Sequence, residues 1–76
     1  MRLIVMSVER KTGEVTDAYW SRVRLEDGTV LLAYYEMLRG EFRLLHAEKL
    51  TQSQRDYIRE KMMRLFGYIR RYDKAA

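Results

Sequence analysis

The sequence predicts an α+β domain in which a four-stranded antiparallel β-meander is followed by one C-terminal α-helix. Three glycine-containing turn signals separate four segments that are rich in β-branched and aromatic residues. The connections are too short for a parallel crossover, so neighbouring strands must run antiparallel. The last third of the chain repeats apolar residues at helical spacing. We expect one domain over 1–76, with strands at about 2–10, 15–25, 29–37 and 41–49 and a helix at about 52–73.

The turn signals also predict how the strands pair. The strongest of them is Asp27-Gly28, which is typical of a two-residue type I′ hairpin turn. If the turns at 12–13 and 39–40 also contain two residues, the register of the whole sheet is fixed. The cross-strand pairs expected from these turns are Met6 with Tyr19, Leu25 with Val30, Val23 with Leu32, and Glu36 with Arg43.

Because side chains alternate along a strand, this register divides the sheet into two faces. The face expected to carry the helix contains Ile4, Met6, Val8, Tyr19, Val23, Leu25, Val30, Leu32, Tyr34, Leu45 and Ala47. The second face is expected to contain Leu3, Val5, Trp20, Arg22, Arg24, Leu31, Ala33, Tyr35, Met37, Phe42, Leu44 and His46. One helix cannot cover both faces. The second face should therefore line a small barrel, pack against another chain, or bind bases and phosphates.

The C-terminal helix has a clear start and a wide apolar surface. Thr51 is followed three residues later by Gln54, the spacing of a capping box. Below it, an apolar stripe is formed by Ile58, Met62, Leu65, Ile69 and Tyr72, and it is widened by Tyr57, Phe66 and Tyr68. This arc is wider than one small sheet needs, so part of it is expected to meet a second chain. A 76-residue chain with 47% apolar residues is also short enough to favour a homodimer.

The positive charge is concentrated in this helix. The chain has a net charge of +4, from 15 basic and 11 acidic residues. Seven of the basic residues and three of the acidic ones lie in 51–76, which leaves eight of each sign in 1–50. The whole surplus therefore belongs to the C-terminal third, and a basic surface of this kind suits phosphate binding.

The residues that carry most enzyme chemistry are missing or isolated. There is no cysteine, His46 is the only histidine, and no spacing of His, Asp and Glu supplies three or four metal ligands. The glycines form neither a phosphate loop nor a dinucleotide fingerprint, and no serine lies in a nucleophile motif. We expect a protein without catalytic activity, metal or cofactor. The absence of cysteine favours the cytoplasm, and no apolar run is long enough for a membrane span.

These features predict a small basic protein that binds single-stranded DNA or RNA. On the sheet, the candidate residues are Trp20, Arg22, Arg24 and Tyr35, because bases stack on aromatic rings while arginine meets phosphate. On the helix, the candidates for phosphate are Arg59, Arg64, Arg70 and Arg71.

The β-β-β-β-α order, with a capped helix after the fourth strand, resembles that of the small dimeric single-stranded-DNA-binding transcription cofactors. The resemblance rests on the order of elements, and it implies a dimer and a role related to transcription. The alternative is a phage- or plasmid-type regulatory protein that binds and modulates a host protein without binding nucleic acid. An over-wide helix arc and a second apolar sheet face would serve that function equally well.

Overall fold

The fold is an open four-stranded antiparallel sheet with one C-terminal helix, as predicted. The computed structural model describes the backbone of residues 1–75 and the side chains of residues 1–73. The elements are β1 (Leu3–Thr12), β2 (Asp17–Leu25), β3 (Val30–Glu36), β4 (Glu41–Leu45) and α1 (Gln52–Ala75). The strands lie in the order β1-β2-β3-β4, so β1 and β4 are the edges. The sheet does not close, and the barrel alternative is therefore wrong.

The turn between β2 and β3 is one residue longer than the sequence predicted. The Leu25 amide donates to the Thr29 carbonyl at 2.8 Å, which encloses a loop of three residues. Gly28 has a φ of 89°, whereas Asp27 keeps a negative φ, so a type I′ turn is not formed. Asp27 Oδ1 instead accepts a hydrogen bond from the Thr29 amide at 2.9 Å. This longer loop shifts the register, and Val23 pairs with Leu31 rather than with Leu32.

A shift of one residue turns β3 over, and β4 with it. We call the side of the sheet that carries α1 the helix face and the other side the open face. The predicted assignment of β3 and β4 to the two faces is therefore wrong. The helix face contains Tyr19, Val23, Leu25, Leu31, Ala33, Tyr35, Phe42 and Leu44. The open face contains Trp20, Arg22, Arg24, Val30, Leu32, Tyr34, Arg43 and Leu45.

The other two turns also differ from the two-residue turns expected. The loop between β3 and β4 has four residues, and Glu36 pairs with Glu41 instead of Arg43. The loop between β1 and β2 also has four, and the Gly13 amide donates to the Thr16 carbonyl at 2.7 Å. Met6 lies at a register shift in β1, so the expected pair of Met6 with Tyr19 is wrong. The predicted faces of Leu3, Ile4 and Val5 are wrong as well, because Leu3 and Val5 lie on the helix face and Ile4 lies on the open face.

Strand β4 ends at Leu45, earlier than predicted, because the chain turns back towards the helix. His46 has a φ of 66°, a left-handed conformation that no regular strand contains. The guanidinium of Arg55 then donates to the carbonyl of Ala47 through two nitrogens, at 3.0 and 3.2 Å. These contacts join the loop to the first turns of α1.

The capping box at the start of α1 is confirmed. The Thr51 amide donates to Gln54 Oε1 at 2.9 Å, and the Gln54 amide donates to Thr51 Oγ1 at 3.2 Å. Three helix residues, Ile58, Met62 and Phe66, are fully buried against the helix face. Along 1–75, no helix is long and apolar enough to cross a membrane.

The aromatic core is built around Phe66. Its ring lies parallel to those of Tyr19 and Tyr35, with centroid distances of 5.7 and 6.1 Å, and Phe42 approaches it at 6.5 Å. Phe66 is thus at the centre of the buried stripe, whereas Tyr72, which the helical spacing placed in that stripe, is 62% exposed. The register shift brings Tyr35 and Phe42 under the helix, where both rings lie next to Phe66.

Candidate nucleic-acid interface

Two aromatic rings meet at the middle of the open face. Trp20 and Tyr34 are directly opposite each other on β2 and β3, and their ring centroids are 4.4 Å apart at an angle of 46°. Both side chains are half-buried, so part of each ring surface is accessible. The pair therefore presents an aromatic surface that is fixed by the backbone register.

A buried carboxylate holds Tyr34 in position. The Tyr34 hydroxyl donates to Glu36 Oε2 at 3.2 Å, and Glu36 Oε1 accepts a hydrogen bond from the Leu38 amide at 3.0 Å. Desolvation raises the pKa of Tyr34, and the hydrogen bond to Glu36 raises it further. Tyr34 therefore stays neutral at physiological pH and presents its ring, while Glu36 is occupied by its own neighbours.

Three arginines lie near the aromatic pair, two of them further along β2 and one on β4. Arg22 and Arg24 follow Trp20 at every second position of β2, and both are exposed. Among the described side chains, neither forms an ion pair. Arg43 is opposite Tyr34 on β4 and contacts only Glu41, at 3.4 Å, with 65% of its side chain exposed. All three guanidinium groups are thus accessible to a ligand on this face.

A fourth cation comes from β1. Lys11 Nζ lies 5.6 Å from the ring centroid of Trp20, which is a cation–π distance. The neighbouring β1 residue on the open face is Glu9, which is opposite Trp20. Four basic groups therefore share the open face with three acidic ones, Glu9, Glu36 and Glu41. Glu36 and Glu41 lie beyond Trp20, whereas Glu9 lines the same small pocket as Trp20 and Arg22.

The surface around Arg24 is otherwise apolar, whereas Arg22 lies opposite the exposed Ser7 on β1. Val30 and Ile4 flank Arg24 on the neighbouring strands and are 43% and 48% exposed, and Leu45 lies beside Leu32 on β4. This arrangement combines exposed aliphatic groups with guanidinium groups. It can pack against a flat ring and bind an anion at the same time.

Three of the four sheet residues predicted from the sequence meet on this face, and one does not. Trp20, Arg22 and Arg24 lie together, as expected. Tyr35 was predicted to share their face, and this placement is wrong, because Tyr35 packs on Phe66 below the helix. Its neighbour Tyr34 takes the position beside Trp20. The sequence reasoning also missed Arg43 and Lys11, which a correct register would have brought next to the aromatic pair.

The helix arginines lie on the other side of the sheet from Trp20. Arg59 is 6.0 Å from the ring of Phe42, and Arg64 forms an ion pair with Glu60 at 2.7 Å. Arg70 and Arg71 form no ion pair with any carboxylate of the described side chains. The sheet and helix candidates consequently form two surfaces instead of one continuous site.

Within the described part of the chain, no group of three or more His, Cys, Asp or Glu residues is arranged to hold a metal ion. Comparison of the chain with protein-family models, with curated proteins and with solved structures gave no match. The geometry of the open face is therefore the main basis for a functional conclusion.

Proposed function

We propose that this protein binds single-stranded nucleic acid, DNA or RNA, on the open face and without catalysis. The observation that carries the proposal is the Trp20–Tyr34 pair with Arg22, Arg24 and Arg43 around it on a sheet face that α1 leaves uncovered. A base stacked on an exposed aromatic ring contributes about 1–3 kcal/mol, and guanidinium groups bind phosphate.

The open face favours a single strand over a duplex. In a duplex the base rings are stacked on one another and are not accessible to a flat protein surface, whereas unpaired bases can lie on aromatic side chains. In the proposed complex a base replaces Lys11 on the ring of Trp20. The displaced ammonium group is then available to a phosphate beside Arg22.

The helix arginines form a second, separate proposal. Arg59, Arg64, Arg70 and Arg71 would have to bind phosphates on the far side of the sheet, either from a strand that wraps around an edge or from another molecule. We also propose a role related to transcription, because transcription opens the duplex and exposes the single strands that this protein would bind.

We also propose that the protein is a homodimer joined through β1. This edge strand has ten residues, and Ile4 and Met6 are 48% and 50% exposed. A long apolar edge strand is a template for pairing with another strand, although the register shift at Met6 interrupts it. Antiparallel pairing of two β1 strands would extend the sheet and place two open faces side by side. Sedimentation equilibrium tests this arrangement, and a monomer at micromolar concentration would contradict it.

Trp20 is the only tryptophan, so its fluorescence reports directly on the proposed site. Titration with oligo(dT) or oligo(U) of about 12 nucleotides, a length that one small single-strand-binding fold covers, should quench and shift the emission. The affinity should fall as salt rises from about 50 to 200 mM, because each phosphate contact releases a counterion. A matched duplex should bind more weakly. Absence of binding at low salt, or an affinity that salt does not change, would contradict the proposal.

The alternative function, a regulator that binds a host protein, is favoured by a different observation. An apolar groove lies on the opposite side of the molecule from Trp20, between β1 and α1. Because nucleic acid and protein would use different surfaces, the two functions can be tested separately.

A further inference from the structure

The single helix covers only part of the helix face. Four strands spaced by about 4.8 Å form a surface roughly 19 Å wide, whereas a helix with its side chains is about 10 Å in diameter. Helix α1 lies over β3 and β4. On β1, Leu3 packs against the core, but Val5 and Val8, which point to the same side of the sheet, are 41% and 36% exposed. A second helix would be needed to cover the face completely.

The flank of α1 that borders this uncovered strip consists of aromatic and apolar residues and one lysine. Its residues recur at steps of four and three and therefore form one row along the helix: Tyr57, Lys61, Leu65, Tyr68 and Tyr72. Tyr68 is 57% exposed, and its hydroxyl donates to that of Tyr72 at 3.1 Å. Between the row and β1 lies a groove of about 640 Å³, and its lining combines Met1, Leu3, Ile4, Val5, Tyr57, Met62 and Leu65 with the charged residues Arg2, Lys61 and Glu26. We call it the β1 groove.

Contacts at both ends determine the length of this strip. The Tyr57 hydroxyl donates to the Met1 carbonyl at 3.2 Å at one end. At the other end, the Asp73 carboxylate accepts hydrogen bonds from Arg10, at 3.0 Å, and from Tyr19. Strand β1 and the helix therefore run in the same direction. Residues 57–73 of the helix extend over about 24 Å, which is the length of a helix of about 16 residues lying alongside.

The charge around the β1 groove selects its occupant. Arg2 and Lys61 both line it. The one acidic residue there, Glu26, already accepts a hydrogen bond from the Arg2 amide. The groove is thus mostly apolar, and its lining contains two basic side chains and one acidic side chain. A second copy of α1 would bring further positive charge, since residues 51–76 carry the whole net charge of +4.

We propose that the β1 groove binds an amphipathic α-helix of a partner protein, with acidic residues flanking its apolar stripe. Apolar side chains at helical spacing would pack on Val5 and Leu65, and the acidic residues would pair with Arg2 and Lys61. This is the helix-in-groove mode of recognition. The proposal does not depend on nucleic-acid binding, because Trp20, Tyr34, Arg22 and Arg24 do not line the groove, and the two surfaces share only Ile4 at the β1 edge.

The test uses three synthetic helical peptides of about 18 residues, the length scale set by the strip. The first has a leucine stripe flanked by glutamates, the second has the same stripe flanked by lysines, and the third has the composition of the first without the stripe. Binding is measured by fluorescence anisotropy with the whole protein. We expect the first peptide to bind at least about tenfold more tightly than either of the others, a factor that corresponds to 1.4 kcal/mol.

Charge reversal separates a groove contact from general attraction. In a variant that combines Arg2→Glu with Lys61→Glu, the preference should invert, so that the lysine peptide binds more tightly than the glutamate peptide. A loss of folding could not produce such a gain. Lys49→Glu, the same charge change at an exposed position outside the groove, should leave the preference for the glutamate peptide in place.

Three results would overturn the proposal. They are equal binding of the striped and stripeless peptides, tighter binding of the lysine peptide to the unmodified protein, and no binding of any peptide. In the last case, a dimer in sedimentation that Tyr57→Asp, a groove substitution on α1 and outside the β1 edge, converts into a monomer would assign the groove to a second copy of this chain. Oligonucleotide titration of the charge-reversal variant reports on the open face independently.

Discussion

The two faces of the sheet use the same strands and differ in where their charged residues lie. Each face has an aromatic group at its centre: Tyr19 and Tyr35 with Phe66 on the helix face, and Trp20 with Tyr34 on the open face. Apolar residues surround Phe66, and the charged contacts of the helix-face rings, such as that of Tyr19 with Asp73, lie at the margin. The open face has an arginine at every second position of β2 beyond Trp20 and another on β4.

This difference restricts what can cover the open face. Burial of a guanidinium group without an anionic partner is strongly unfavourable, so an apolar surface from another protein would not complete it. A ligand with flat rings and negative charges would satisfy both the aromatic and the charged groups. The comparison thus supports a nucleic-acid ligand on the open face more than an apolar dimer core.

The largest expected effect comes from removing the central ring of the helix face. Phe66→Ala deletes a fully buried side chain that contacts three aromatic rings, and it should lower the free energy of unfolding by about 3–5 kcal/mol. Trp20→Ala removes a larger ring from the open face, yet it should cost only about 1–2 kcal/mol because the ring is half-exposed. Urea denaturation followed by circular dichroism measures both. Equal losses would mean that the two faces are energetically alike.

The second prediction concerns ligand binding, not stability. Arg22→Ala combined with Arg24→Ala should reduce the slope of log affinity against log salt by about 1.4, roughly 0.7 for each lost contact with a single strand. The free energy of unfolding should stay within about 0.5 kcal/mol per site, since both side chains are exposed.

The matched control for this pair is Lys61→Ala, which changes an exposed cation on α1, on the other side of the sheet from Trp20. It removes one positive charge without changing the proposed site, and its salt slope should equal that of the unmodified protein. If the lysine variant and the arginine variants weaken binding equally, the attraction is a general effect of net charge and the open face is not the site.

The sequence predicts the element order well but not which side of β3 is buried. The reason lies in the composition of β3, where Leu31 is next to Leu32 and Tyr34 is next to Tyr35. Either alternation gives an apolar face with one tyrosine, so periodicity cannot choose between them. The choice depends on the length of the turn that precedes the strand. Loops of two and three residues share the signal Asp27-Gly28, and the structure forms the longer one.

The helix was easier to predict because its signals are local. The capping box and the spacing of the apolar residues depend only on neighbours along α1. The position of α1 across the sheet depends on tertiary packing, and no spacing in the sequence indicates that β1 would remain uncovered. The β1 groove could therefore be found only from the structure.

A third prediction concerns the contact between the helix face and the end of α1. Burial raises the pKa of Tyr19 to about 12, and the hydrogen bond to Asp73 contributes in the same direction. Since the pKa is higher in the folded state, the resulting stability is fully present below about pH 10, the ordinary tyrosine pKa. It is lost as the pH rises towards 12.

Tyr19→Phe should remove this alkaline loss and cost about 1 kcal/mol at neutral pH, the usual contribution of one hydrogen bond. The control is Tyr35→Phe, which changes the other tyrosine packed on Phe66 and should keep the alkaline loss. Tyrosinate absorbance and urea midpoints measured from pH 8 to 12 provide the readout. An unchanged alkaline limb in Tyr19→Phe would show that the hydroxyl of Tyr19 is not responsible.

The smallest expected effect concerns the turn that decides which residues occupy each face. The hydrogen bond from the Thr29 amide lowers the pKa of Asp27, and no other influence is larger. A carboxyl group whose pKa is lowered by folding stabilises the fold above its unfolded pKa of about 3.9. That stability is lost as the pH falls through the folded pKa.

Asp27→Asn keeps an oxygen acceptor for the same turn but cannot titrate. The acid limb of the curve of stability against pH should therefore become slightly flatter, while the stability at pH 7 hardly changes. Asp27→Ala, which removes the acceptor, should lower stability at both pH values. If Asn and Ala behave alike, the side chain of Asp27 does not hold the three-residue loop, and the alternation that brings Tyr34 beside Trp20 must be determined by the packing of β3 on the helix.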